Sequence, residues 1–262
     1  MIAFKIISLG ILASVVLMSM LWWISLKIKN AAIVDVGWGI SVLIYCCFYF
    51  FGTDGLQAKE FLALMTVLIW SGRLSYHLYN DRIKGGKEEE GRYKKLREYF
   101  KTDISKKFFF FFQAQGLFNF VLCTPFLIIA LNPSRQVKFL DLMAFALSYL
   151  AIFGETTADY QLKQFKKNPE NKGKVCDVGL WGYSRHPNYF FEFLIWVGFF
   201  LMGVGEPYGF LGIVAPASIL YTLLKFTGIP ATEEQAVRTK GQLYKNYQER
   251  VSAFIPLPPK KF

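Results

Sequence analysis

The sequence predicts an all-α, polytopic membrane protein with seven transmembrane helices, its N-terminus outside and its C-terminus cytosolic. Three observations carry this expectation. Apolar stretches recur at about 6–26, 31–51, 60–79, 108–131, 139–157, 189–205 and 208–226 in a chain of 262 residues with mean hydropathy +0.30. Several of them approach the roughly 20 residues that cross a ~30 Å hydrocarbon core. The basic residues separate by side. With seven spans, all but five of the 30 Lys and Arg fall in Lys27 and Lys29, the 80–107 and 163–188 loops and the C-terminal tail; the exceptions are Lys5, Lys59, Arg73, Arg135 and Lys138. An even number of spans breaks that separation. Finally, no alternating ten-residue strands are present, so a barrel is excluded and each span must be helical to satisfy its own backbone.

Along the chain, the first segment, IISLGILASVVLMSMLWWISL, has a longer apolar run than a secretory h-region and no A-x-A-like cleavage site, so it is expected to be a retained helix. The second opens with IVDVGWG and the third contains SGRLSYHLY. Residues 80–107 mix both signs and are expected to form an interfacial helix after a Gly-Gly turn. The fifth span ends in GETTADYQ, and the loop at 163–188 leads through SRHPNYFFE into the sixth. The tail is expected to be helical from about 232 to 250, ending before its Pro-containing terminus. The whole chain, 1–262, is expected to form one membrane domain, with 1–149 on the substrate side and 150–262 holding a cofactor. A net charge of +11 invites a nucleic-acid reading, but the charge follows the loops, so no nucleic-acid partner is expected. Cys46, Cys47, Cys123 and Cys176 show no C-x-x-C spacing; neither a disulfide nor a metal site is expected.

Charged side chains inside spans cost free energy and by default read as functional. Asp35, Arg73, His77, Glu155, Asp159 and Glu192 meet that description. Plainer readings stand beside it. Asp35 and Asp159 lie near span ends and could sit among headgroups; Arg73 could snorkel or pair with Asp35; His77 could be a satisfied polar residue. Spacing narrows the field, because Asn188 and Glu192 are i,i+4 and share one helix face. Glu155, Asp159, Lys163 and Lys166 form a second stripe that turns basic toward its end. Carboxylates accept hydroxyl hydrogens and lysines neutralise phosphate, so the stripe suits a ligand bearing ribose and phosphate. The alternative is a polar groove lined for helix packing. Arg185 and His186 precede Pro187 at the first turn of a helix, where exposed N–H groups favour an anion. No GxGxxG and no Walker-type loop is present, so no soluble nucleotide-binding domain is expected.

These residues carry a resemblance. GLWGYSRHPNYFFEFLIWVGF, with GETTADYQLKQFKKNPENKGKVCDVG before it and TGIPATEEQAVRTKGQLYKNYQERVSAFIPLPP after it, resembles the DUF1295 branch of the steroid 5α-reductase superfamily over about residues 150–260. IVDVGWG, RLSYHLYNDR and FQAQG are similar to that branch more weakly. The resemblance implies a seven-helix membrane reductase that uses NADPH on a C=C bond conjugated to a carbonyl in a lipid-like substrate. It assigns the cofactor to Glu155, Asp159 and Lys166 on one helix, to Arg185, Asn188 and Glu192 around the start of the next, and to Arg238 and Tyr247 in the tail; Lys163, His186 and Tyr189, which lie among these residues, are expected to contact it as well. Relatives can carry Asn where this chain has Glu155. The RHP-x-Y motif and the EE-bearing tail are also similar to isoprenylcysteine carboxyl methyltransferases, which use S-adenosylmethionine; Asn188 and Glu192 tilt the reading toward the reductase. A non-enzymatic lipid-binding scaffold is the third possibility. For the proton donor, the resemblance points to Asp35 and Tyr76, with His77 as a substitute; Asp35 would have to be held neutral by desolvation. The expected partners are a lipid-like small molecule and membrane lipids, with the protein a monomer.

Overall fold

In a computed structural model of the protein, all residues except 54–55, 133–135, 227 and 261–262 are described. Eleven α-helices appear among them: α1 (Ile2–Ile28), α2 (Ile33–Phe51), α3 (Ala58–Arg82), α4 (Gly91–Phe100), α5 (Ile104–Leu122), α6 (Thr124–Leu131), α7 (Phe139–Lys167), α8 (Pro187–Val204), α9 (Val214–Tyr221), α10 (Ile229–Lys240) and α11 (Gln242–Arg250). No strand occurs among the described residues; the isolated β-bridge pairs Ser184 with Ser252 in parallel. Six stretches are long and apolar enough to cross a membrane: α1, α2, α3, α7, α8 and Gly209–Lys240, which carries α9. Helices α5 and α6 make a seventh if the pair is one span, bent by 47°. The chain is therefore a nearly all-helical, multi-pass membrane protein with six or seven spans.

The bend has an identifiable cause. Pro125 lies in the first turn of α6 and has no N–H to give to Val121 four residues earlier. The Thr124 hydroxyl donates to that carbonyl instead, at 2.6 Å. The expected single span at 108–131 is thus two helices meeting at Cys123.

The chain divides into two compact units. The first comprises Met1–Leu142 and Phe200–Ala215. Its centre is α2, packed against α1, α3 and α5. With no hydrophobic drive between helices in lipid, close approach and hydroxyl contacts hold such a bundle. A Cβ at Gly116 would lie 2.7 Å from Ser14 Oγ, so α5 approaches α1 only because that position is glycine. Ser14 and Ser41 hydroxyls share a 2.9 Å hydrogen bond, Ser71 donates to the Gly39 carbonyl at 2.8 Å, and Asn119 donates to that of Trp38 at 2.8 Å. At the start of α3, Lys59 is 1% exposed and lies between Asp141 at 2.9 Å and Glu206 at 2.8 Å. This closed triad joins α3, the first turn of α7 and the segment after α8. At the opposite end of α3, the 83–103 loop folds over the start of α2. Glu89 accepts Arg97 at 2.6 and 2.9 Å and the Ala31 N–H at 2.7 Å.

The second unit comprises Met143–Phe199 and Pro216–Phe262. Here α7 meets α8 through glycine: a Cβ at Gly154 would lie 2.5 Å from the Phe191 ring. That approach places the polar stripe of α7 against the first turns of α8. A π-helical turn, Thr222–Phe226, follows α9, and α10 packs against it before turning into α11.

Candidate functional site

The second unit gathers the residues that the sequence singled out around the start of α8. Glu155 and Asp159, one turn apart on α7, are only 5% and 9% exposed. Lys163 and Lys166 continue the stripe at the exposed end of the helix. The Asn188 amide donates to Asp159 Oδ1 at 3.2 Å, so the two i,i+4 motifs meet across α7 and α8. One turn further along α8, Glu192 accepts the Trp196 indole N–H at 2.9 Å, which fixes its carboxylate on the α8 surface.

The loop entering α8 is positioned from three directions. Gln161 on α7 accepts the Leu180 N–H at 2.9 Å, and the Trp181 indole donates to the Ala158 carbonyl at 2.9 Å. Gly179 has φ +58° with the Gln161 side chain pressed against it, a position that tolerates no Cβ. Beyond α11 the tail runs back along the loop. Ser252 O accepts the Arg185 N–H at 2.8 Å, Phe254 O accepts the Ser184 hydroxyl at 2.8 Å, and Tyr183 O accepts the Leu257 N–H at 3.0 Å. The Phe254 ring stacks edge-on against Phe190, with centroids 5.7 Å apart.

Several expected cofactor contacts turn inward on the protein itself. Arg185 Nε donates to Glu233 at 2.6 Å, and its Nη1 donates to the carbonyls of Gln248 and Val251 at 3.0 and 2.5 Å. His186 Nε2 lies 3.2 Å from the same Glu233 oxygen, and Gln248 donates to the other at 2.7 Å. Glu233 is therefore the centre of a knot joining α10, α11 and the RHP loop. Glu233 is not among the residues that sequence reasoning selects, although an acid pair in the tail and an Arg-His pair in the loop are the signal for it. His186 stacks on Tyr189, whose hydroxyl lies 3.3 Å from that of Thr232. Tyr247 is buried and donates to the Trp181 carbonyl at 2.5 Å. Burial pushes its phenol well above the ordinary range, so it stays a neutral donor. Arg238 is exposed and pairs with Glu234 along α10. The four cysteines are free thiols.

The three proton-donor candidates belong to the first unit. Asp35 is bound by the guanidinium groups of both Arg82 and Arg92, and Tyr93 donates to its Oδ1 at 2.7 Å. Those donors suit a carboxylate anion, whereas the sequence reading asks for a neutral acid. Tyr76 is 71% exposed on α3 and His77 is half-buried. Sequence reasoning passed over Tyr93, the buried phenol at Asp35, because the 80–107 loop reads only as charged.

The profile of a family described as "Protein of unknown function (DUF1295)" matches residues 21–251. An uncharacterized protein of Schizosaccharomyces pombe is 28% identical over 282 residues, covering 94% of this chain and 78% of the relative. No solved structure matches the chain.

Proposed function

Because the chain belongs to the DUF1295 family, we propose that it is a membrane-embedded, NADPH-dependent reductase of a C=C bond conjugated to a carbonyl in a lipid-like substrate of steroid or isoprenoid type. The family's resemblance to steroid 5α-reductases supplies the reaction class. The observation that carries the cofactor half is the meeting of two motifs, with Asn188 donating to Asp159 beside buried Glu155.

The residues present fit that cofactor in part. Glu155 and Asp159 are buried acceptors suited to ribose hydroxyl or carboxamide hydrogens. Lys163 and Lys166, further along the same helix, suit phosphate. Arg185 is committed to Glu233 and Tyr247 to the Trp181 carbonyl, so we assign them to holding the loop. When bound, the cofactor supplies the hydride for the β-carbon of the enone. Asn188 and Asp159 orient the group that lies against them, and Glu192 is held in one position by Trp196.

Titration of the purified protein with NADPH, NADH and S-adenosylmethionine tests the reading. NADPH should bind, and Asp159→Ala should weaken it about tenfold or more, since hydrogen bonds to charged groups contribute ~1.5–3 kcal/mol. Binding of S-adenosylmethionine alone would replace the reductase by the methyltransferase reading. Binding of none of the three would leave a lipid-binding scaffold.

A further inference from the structure

The second unit contains a cavity of about 420 Å³ at the polar end of α7, apart from the Asp159–Asn188 contact. Lys166 and Lys167 from α7, Lys172 and Lys174 from the following loop, and Lys240 from the end of α10 all line it. No Asp or Glu is among the lining residues. Among the described residues none of the five lysines has a carboxylate at ion-pair distance, although the same unit pairs Arg185, Arg238 and Arg250 with acids.

An excess of lysine on one membrane side is ordinary, and solvated lysines normally splay apart. Two facts argue against that reading here. Lys240 is half-buried and comes from an element 74 positions from Lys166, so the tertiary fold brings like charges to one cavity. The loop that carries the others is also built rather than loose. Asn168 accepts the Glu170 N–H at 3.0 Å, Asn171 donates to the Phe165 carbonyl at 3.0 Å, and Gly173 takes φ +83°. Converging cations without an acid call for an anion from outside the chain.

The wall of the cavity indicates which anion. Leu162 and Phe165, on the last two turns of α7, give it an apolar side continuous with a spanning helix. At 1.5 Å per residue α7 is about 43 Å long, so its final turns reach the depth of lipid headgroups. An apolar wall at that depth suits a ligand with hydrocarbon beside its phosphate, which a nucleotide lacks. We propose that this lysine-lined cavity is a binding site for the phosphate headgroup of an anionic phospholipid, its apolar wall receiving the adjoining glycerol and acyl carbons. Juxtamembrane basic clusters attract such lipids, with each lysine strengthening binding about fivefold.

Lys166 also ends the stripe proposed for the cofactor phosphate, so the variants leave it in place and the first arm of the test uses no cofactor. The full chain is reconstituted in nanodiscs of phosphatidylcholine alone or with added phosphatidylglycerol, and amine labelling of each lysine is read by mass spectrometry. Phosphatidylglycerol should protect Lys172, Lys174 and Lys240, and native mass spectrometry should show retained phosphatidylglycerol. The triple variant Lys172→Ala/Lys174→Ala/Lys240→Ala should lose that lipid by on the order of a hundredfold, while the corresponding triple Arg variant keeps it. Equal labelling in both bilayers, or undiminished lipid on the Ala variant, overturns the proposal. A further arm adds NADPH or NADH to phosphatidylcholine discs. Protection by NADPH with none from phosphatidylglycerol assigns the cavity to a nucleotide and equally overturns it.

Discussion

Helix α10 carries two basic regions that use charge in opposite ways. At Glu233, Arg185 and His186 from the RHP loop and the Gln248 amide from α11 close on one carboxylate. Seven residues later, at Lys240, five lysines share a cavity without any acid. The same two segments, the loop after α7 and the tail, build both. Basic residues in this family motif are therefore not interchangeable markers of an anion site. Arg185 and His186 stand beside the more recognisable motif, yet both turn to Glu233 of the chain itself. The lysines of the less distinctive loop are the ones left to a ligand.

The contrast can be broken first at Glu233. Glu233→Ala removes the shared partner of Arg185, His186 and Gln248, and deletion of one member of a buried ion pair costs about 3–5 kcal/mol, less here because Glu233 is partly exposed. A fall of several degrees in the unfolding temperature in detergent is expected, with Glu233→Gln intermediate; an unchanged temperature would show that the knot does not hold the loop. A smaller loss is expected for Tyr247→Phe, which strips the hydrogen bond to Trp181 O at a cost of about 1–2 kcal/mol and is read in the same melt. Smallest is Lys240→Met. Removing one of several like charges should leave stability within about 0.5 kcal/mol of the parent. A destabilisation comparable to that of Tyr247→Phe would mean that Lys240 is a structural residue, and the two regions would no longer differ in kind.

The spans were legible because the length of an apolar run is dictated by the bilayer rather than by neighbours. Where the sequence reading missed, a single residue redirected a long run. Pro125 breaks 108–131 into two helices although the stretch around it is mostly apolar. At the site, the i,i+4 pairs on α7 and α8 were readable, because helical spacing fixes which side chains share a face. Which partner each face meets was not. Arg185 and Glu233 are 48 positions apart, as are no two residues linked by helix periodicity, and only the folded tail brings them together. Asp35 shows the same limit: its spacing says it lies near a span end, but Arg82, Arg92 and Tyr93 decide its charge state.

The return of the tail along residues 183–185 has a practical consequence for anyone handling this protein. Ser252, Phe254 and Leu257 supply backbone partners to the loop that opens α8, and the Lys260 N–H is bound by the Arg250 carbonyl. A purification handle or fluorescent fusion joined directly after these residues pulls on the loop that positions Asn188. Such a fusion should be placed at the other terminus, or behind a long flexible spacer, before weak ligand binding is blamed on the protein.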